Sequence, residues 1–199
     1  KSTVSVLMVT LCLLQINNHL MEDSSFIYYL GLGTNLGNKE QNLRDAVQKI
    51  EERIGKIVSL SAFYATVPWG FDSANGFLNA ACRVDTSLHP LQVLESTQAI
   101  EYKMGRRGKS VDGIYHDRII DIDLLICLDI SGKEVLMDTP QLKLPHPLIH
   151  LRDFVMKPLK EIAPELTYSI LSKQKANEKN RIVHPASMGY TMYKSPREE

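Results

Sequence analysis

The feature that most limits how this chain can fold is a pair of aspartates inside an otherwise apolar run, Ile-Ile-Asp-Ile-Asp-Leu-Leu at positions 119–125. The apolar neighbours predict a mostly buried strand over 119–128. Residues i and i+2 of a strand point to the same face about 6.6 Å apart along the chain. The carboxylates of Asp121 and Asp123 are therefore predicted to lie side by side.

This pair of carboxylates needs a partner of opposite charge. Like charges at that separation repel each other unless something neutralises them, and aspartate is disfavoured in strands. Mg²⁺ would resolve both problems, because it takes carboxylate and phosphate oxygens as ligands. The alternative is that both aspartates face solvent or protect an edge strand against aggregation.

The hydrophobic pattern elsewhere predicts an α+β domain. Helices are expected from the capping residue Asn38 to Gly55 and from Pro90 to Gly105. Together with strands over 26–32, 57–65, 77–85 and 119–128, they give the order βαββαβ. That order is typical of a ferredoxin-like fold, an antiparallel sheet with helices packed on it. A further short helix is expected over 153–162.

A basic loop without usable periodicity precedes the acidic strand over 105–117. It carries Arg106, Arg107 and Lys109, and Arg118 follows it. Guanidinium groups bind polyphosphate through paired hydrogen bonds, and beside a metal site they would neutralise charge on a transferring phosphoryl group. A solvated basic loop is the alternative.

Composition excludes some functions and leaves others open. Lys plus Arg and Asp plus Glu both number 23, so a nucleic-acid-coating role is not indicated. The isolated cysteines, Cys12, Cys82 and Cys127, indicate neither a disulfide framework nor a zinc site, which favours a cytoplasmic location. The apolar stretch over 4–16 is too short to span a bilayer. The apolar part of a signal peptide is the alternative to an extension, although no small-x-small cleavage site follows it.

We therefore expect an N-terminal extension over 1–24, with a natural start near Met21, and a functional domain over 25–171. Residues 172–199 are expected to form a polar tail.

Several segments, taken in order, resemble the 6-hydroxymethyl-7,8-dihydropterin pyrophosphokinase family. The resemblance covers about 27–166. It rests on Leu-Gly-Thr-Asn-Leu-Gly at 32–37, Phe-Tyr-Ala-Thr at 63–66, Phe-Leu-Asn-Ala-Ala at 77–81, Ile-Glu at 100–101 with Gly-Arg at 105–106, Arg-x-x-Asp-Ile-Asp-Leu-Leu at 118–125, Pro-His-Pro at 145–147 and Glu-Ile-Ala-Pro-Glu-Leu at 161–166.

The resemblance implies an enzyme of folate biosynthesis. It would transfer diphosphate from ATP, the co-substrate, to the hydroxymethyl oxygen of the pterin and release AMP. Asp121 and Asp123 match the aspartates that hold two Mg²⁺ ions. The small-molecule substrates are the only implied partners, with no nucleic acid, no membrane and no obligate protein partner.

The resemblance also assigns individual residues. Arg106 and Arg118 match arginines that steady phosphate charge and, with the two aspartates, form the catalytic set. The positions associated with ATP are Gln98, Glu101, Arg107, Tyr115, Arg118, His146 and Arg152. The positions associated with the pterin are Thr66, Val67, Trp69, Phe77, Asn79 and Phe154, with Phe77 and Phe154 on either side of the ring and Trp69 offering main chain.

This chain departs from the family pattern in the basic loop. His116-Asp117 stands where Gly-Pro is usual, Tyr115 where a tryptophan is common, and Gly108 where a second arginine is expected. Two other readings remain open: a non-catalytic binding module of the same fold, and a different metal-dependent transferase such as a nucleotidyltransferase.

Overall fold

A computed structural model describes residues 25–70, 73–106 and 116–183, with side chains up to 176. Its main sheet has the order β2-β4-β1-β5 and antiparallel pairing, and β3 adds to β4. The strands are β1 (Phe26–Thr34), β2 (Lys56–Leu60), β3 (Tyr64–Thr66), β4 (Phe77–Thr86) and β5 (Asp121–Asp129). The predicted combination of helices with an antiparallel sheet is confirmed.

Two glycines of the central strand lie directly opposite the predicted site residues. Gly33 pairs with Asn79 on β4 and with Asp121 on β5, and Gly31 pairs with Asp123. A Cβ on Gly33 would lie 3.0 Å from Asn79 Oδ1, so the glycine leaves room for that amide. Gly31 and Gly33 thus form a floor without side chains on β1. The acidic pair on β5 and Asn79 on β4 flank this glycine floor.

Helices cover both faces of the sheet. Helices α1 (Lys39–Arg53) and α2 (Pro90–Lys103) pack on one face, over a core that includes Tyr28, Leu30, Leu43 and Ile100. On the other face, α3 (Asp153–Ile162) packs over Leu125 and Ile126. Because β5 is covered on both sides, its sequence is an almost continuous apolar run, and the aspartates stand out within it.

The predicted second strand, 57–65, is in fact two strands. Ser61 still bonds to Ala81 through its amide and its hydroxyl, both at 2.9 Å. The next amide, that of Ala62, leaves the ladder and donates to both carboxylate oxygens of Glu161 at 3.1 Å. The side chain of Glu161 therefore replaces a strand partner at the break.

The polar segment expected from residue 172 is helical in its described part, because the helix α4 (Pro164–Val183) runs through it. Lys173 on this helix forms a 2.6 Å ion pair with Glu134. A small hairpin of β6 (Met137–Asp138) and β7 (Lys143–Leu144) also went unpredicted. Such pairs of two-residue strands have too little pattern to be seen in sequence.

Residues 1–24 and 184–199 lie outside the described part of the chain. Within the described part, none of the helices is long and apolar enough to cross a membrane.

Candidate active site

One cleft brings together most of the residues that the sequence singled out. It opens over the glycine floor of β1, between β3, the start of β4, the start of β5 and the N-terminal end of α3. The predicted site residues that line it are Thr66, Val67, Trp69, Phe77, Asn79, Arg106, Arg118, Asp121, Asp123, His146, Arg152 and Phe154.

Two of the described ATP-associated residues, Gln98 and Glu101, are not among those that line this cleft. Arg107 and Tyr115 lie outside the described residues. Gln98 and Glu101 both lie on α2. Glu101 nevertheless contacts the site from behind, because its Oε1 accepts from Arg106 Nη1 at 2.6 Å and from the backbone amide of Ile122 at 2.7 Å.

Arginines neutralise the acidic pair in the described cleft. Asp121 accepts from Arg106 Nη1 and, at 2.9 Å, from Arg118 Nη2. Asp123 lies 3.6 Å from Arg152 Nη1 and leaves 36% of its side chain exposed to the cleft. Asp121 therefore has close guanidinium partners on both oxygens, while Asp123 has one distant partner and an open side.

Burial and neighbouring negative charge raise the pKa of two carboxyl groups at the site, those of Asp123 and Glu101. Burial raises the pKa of Asp123 to about 7, with a further rise from the charge of Asp121, although Arg152 and Arg118 oppose it. Burial likewise raises the pKa of Glu101 to about 7. A cation beside Asp123 would favour the ionised form of this carboxyl group.

His146 lies on the turn after β7, and its Nδ1 accepts from the amide of Leu148 at 3.2 Å. Burial, followed by the charge of Arg152, lowers the pKa of His146 to about 4. The imidazole is consequently neutral at pH 7. With Nδ1 accepting, the proton resides on Nε2, which can donate a hydrogen bond.

Aromatic rings form the wall opposite the carboxylates, and arginines rest on them. The guanidinium of Arg118 lies 5.3 Å from the centre of the Phe77 ring. The guanidinium of Arg152 lies 5.2 Å from the Trp69 ring and 5.7 Å from the Phe154 ring. The Trp69 ring therefore lies against Arg152, which also lines the cleft, whereas the resemblance implied a main-chain contact from Trp69.

A buried amide completes the aromatic wall. Asn79 is only 3% exposed, and its Nδ2 donates to Thr66 Oγ1 at 2.8 Å across the β3–β4 pair. Val67, which follows Thr66, is 81% exposed and meets the cleft at its rim. A flat heterocycle with donors and acceptors on its edge can stack on aromatic rings here and bond to fixed polar side chains.

Sequence reasoning missed two connections that support this cleft. Glu161 holds the β2–β3 break and also accepts from Tyr64 Oη at 2.8 Å. Asp117 accepts from side chains of two distant segments, Asn35 and the stretch 73–75. For the Asp117 hydrogen bonds, the one indication in the sequence was the unusual His116-Asp117 ahead of Arg118.

Comparisons with known proteins agree on one family. The family model for 7,8-dihydro-6-hydroxymethylpterin-pyrophosphokinase matches residues 29–164. A Porphyromonas gingivalis protein named 2-amino-4-hydroxy-6-hydroxymethyldihydropteridine pyrophosphokinase is 46% identical over 140 residues, which cover 70% of this chain and 92% of that protein. The protein of the same name from Aquifex aeolicus is 36% identical over 145 residues, covering 73% and 85% of the two chains.

A solved structure supports the fold. Wild-type Plasmodium falciparum HPPK-DHPS with STZ-DHP superposes with a TM-score of 0.55 at 18% identity. The superposition covers 82% of this chain, which spans 46% of the length of that one.

Proposed function

The chain belongs to the 7,8-dihydro-6-hydroxymethylpterin-pyrophosphokinase family, and from that premise we propose how its cleft carries out the reaction. Pyrophosphokinase activity in folate biosynthesis transfers diphosphate from ATP to the hydroxymethyl group of the pterin and leaves AMP. The observation that carries the proposal is a single cleft with two carboxylates and three arginines at one end and an aromatic wall with a buried amide at the other.

The fold we propose is the ferredoxin-like one. The sheet order β2-β4-β1-β5, with α1 and α2 as the connections, corresponds to a βαββαβ unit in which β3 is an added short strand. In this arrangement the central strand β1 supplies the cleft floor, and its neighbours β4 and β5 supply opposite walls.

Asp121 and Asp123 are the proposed ligands of two Mg²⁺ ions. The fit is supported by the position of the two aspartates two residues apart on β5 and by the exposed part of the Asp123 side chain. No group of three or more potential metal-ligating His, Cys, Asp or Glu side chains occurs in the described part of the chain. That suits Mg²⁺, which is commonly held by one or two carboxylates together with substrate phosphates and water. Bound there, it would supply charge neutralisation and orientation of the phosphates.

The three arginines are the proposed phosphate ligands. In the described cleft Arg106 and Arg118 bond to Asp121, and Arg152 approaches Asp123. Guanidinium groups placed here can bind phosphate oxygens through paired hydrogen bonds. Glu101 holds Arg106 from behind and so directs it into the cleft.

The pterin is proposed to bind at the aromatic end. Phe77 and Phe154 offer ring faces, and Asn79 and Thr66 offer donors and acceptors to the edge of the heterocycle. Neutral His146 can donate a hydrogen bond to a phosphate oxygen. We assign no general base, because phosphoryl transfer depends more on positioning and charge neutralisation than on proton abstraction.

A direct test is to incubate the purified chain with ATP, Mg²⁺ and 6-hydroxymethyl-7,8-dihydropterin and to identify the nucleotide product by chromatography. We expect AMP and the pterin diphosphate in equal amounts, formed only when the pterin is present. Formation of ADP, or of AMP without pterin, would reject diphosphate transfer. Asp123→Asn is a suitable negative control, because it keeps the side-chain shape and removes the charge.

A further inference from the structure

The Asp117 carboxylate, which the proposed transfer does not use, joins three segments of the chain. Its Oδ1 accepts from Asn35 Nδ2 at 2.6 Å and from Ser73 Oγ at 2.7 Å. Its Oδ2 accepts from Asn75 Nδ2 at 2.7 Å. These donors hold the pKa of Asp117 below its usual range, so the group is ionised at neutral pH and the bonds are charge-assisted.

Each joined segment continues directly into the active site. Asn35 directly follows β1 and forms two hydrogen bonds with the backbone of Arg118. Its side-chain Oδ1 accepts from the Arg118 backbone amide at 2.7 Å, and its own backbone amide donates to the Arg118 carbonyl at 3.1 Å. Ser73 and Asn75 lie just before Phe77 in the chain. Asp117 therefore connects the backbone that carries Arg118 with the backbone that carries Phe77.

Arg118 and Phe77 meet in the cleft, where the guanidinium lies 5.3 Å from the ring centre. This contact stands where the phosphate end of the cleft meets the aromatic end. A second anchor fixes the same stretch, because Lys39 Nζ donates to the carbonyl of Gly76 at 3.0 Å. The Arg118–Phe77 contact is thus held from the backbone on both sides.

We propose that Asp117 is a positioning residue that sets Arg118 relative to Phe77, and so sets the phosphate site relative to the pterin site. The inference rests on the roles proposed above for Arg118 and Phe77. Asp117 itself touches neither substrate in this account. Its influence passes through the backbone around 118 and through 73–77, and misplacement of reacting groups by about 1 Å can cost about 100-fold in rate.

The test compares Asp117→Ala and Asp117→Asn with a matched control, Asp129→Ala. Asp129, at the opposite end of β5, also accepts several local bonds: from Ser131 N at 2.9 Å, Ser131 Oγ at 2.6 Å and Lys133 N at 3.0 Å. Loss of a carboxylate that accepts three hydrogen bonds is thus common to both alanine variants. Of the two aspartates, only Asp117 is connected to the cleft through its hydrogen-bond partners.

We expect Asp117→Ala to lower kcat by about 10- to 100-fold, with a smaller change in the KM for ATP. Asp117→Asn should recover part of this loss, because its amide oxygen can still accept from Asn35 and Ser73. Asp129→Ala should retain the wild-type kcat.

A second measurement is independent of activity. The Arg118 amide donates to Asn35 Oδ1, so its hydrogen exchange should accelerate in Asp117→Ala and stay unchanged in Asp129→Ala. A wild-type kcat in Asp117→Ala, an equal loss in Asp129→Ala, or an unchanged exchange rate at Arg118 would each overturn the inference. Absence of AMP formation by the wild type would instead contradict the proposed function, and the exchange experiment would still decide the role of Asp117.

Discussion

Replacing Gly33 by alanine would place a methyl group against the amide that we assign to the pterin. The new Cβ would lie 3.0 Å from Asn79 Oδ1, which is closer than van der Waals contact. Asn79 is 3% exposed and already donates to Thr66 Oγ1 at 2.8 Å, so it has little room to move without losing that bond. We therefore expect Gly33→Ala to displace the Asn79 side chain.

The size of the effect follows from the two interactions that change. Overpacking of a buried site costs about 1–3 kcal/mol, which for a chain of this length corresponds to a fall in Tm of about 2–4 °C per kcal/mol. A displaced buried amide that no longer meets its ligand costs about 1–3 kcal/mol of binding, or about 5- to 150-fold in affinity. The KM for the pterin should rise accordingly, while the KM for ATP stays near its wild-type value.

Gly132→Ala is the matched control. Gly132 has φ +82°, and nothing lies within 4 Å of the position that an alanine methyl group would take, so alanine there costs only backbone strain, about 1–2 kcal/mol. Steady-state kinetics with each substrate varied, together with thermal unfolding, separates the two variants. If Gly33→Ala loses stability as Gly132→Ala does but keeps the wild-type KM for the pterin, the assignment of Asn79 to the pterin is wrong.

Three further predictions concern the phosphate end. Asp123→Ala should abolish turnover with little loss of folding stability, because it removes a proposed metal ligand and no core volume; an aggregating variant in light scattering would contradict this. Arg106→Ala should lower kcat much more than it weakens ATP binding, and equal losses in kinetics and calorimetry would speak against a transition-state role. The pKa of His146 is lowered to about 4 in the folded chain, so as the pH falls the unfolded chain protonates this imidazole before the folded chain does. The free energy of unfolding should therefore fall as pH drops from about 6.5 toward 4, and His146→Asn should flatten that slope in urea titrations.

Local patterns were enough to predict several parts of this protein. The alternation of a strand places Asp121 and Asp123 on one face whatever the rest of the chain does. The cap at Asn38 is equally local, since its side chain accepts from the amide of Gln41 at 3.1 Å. The order of helices and strands follows from apolar periodicity, and it was sufficient to indicate an antiparallel sheet covered by helices.

Other features depend on contacts between residues far apart in the chain. Glu161 holds the break between β2 and β3. The part of helix α4 beyond residue 172 lacks the apolar periodicity from which a helix could be predicted. The placement of Glu101 behind Arg106 and the bonds of Asp117 to Ser73 and Asn75 join separate segments.

Sequence by itself thus determined the chemistry available to this protein: paired carboxylates, arginines nearby and an amide with aromatic neighbours. Tertiary structure alone decided which arginine meets which carboxylate, which ring each guanidinium covers, and how closely Gly33 lets Asn79 approach. The reason is that a side chain's direction follows from its own strand or helix, whereas its partner is chosen by packing and desolvation across the whole fold.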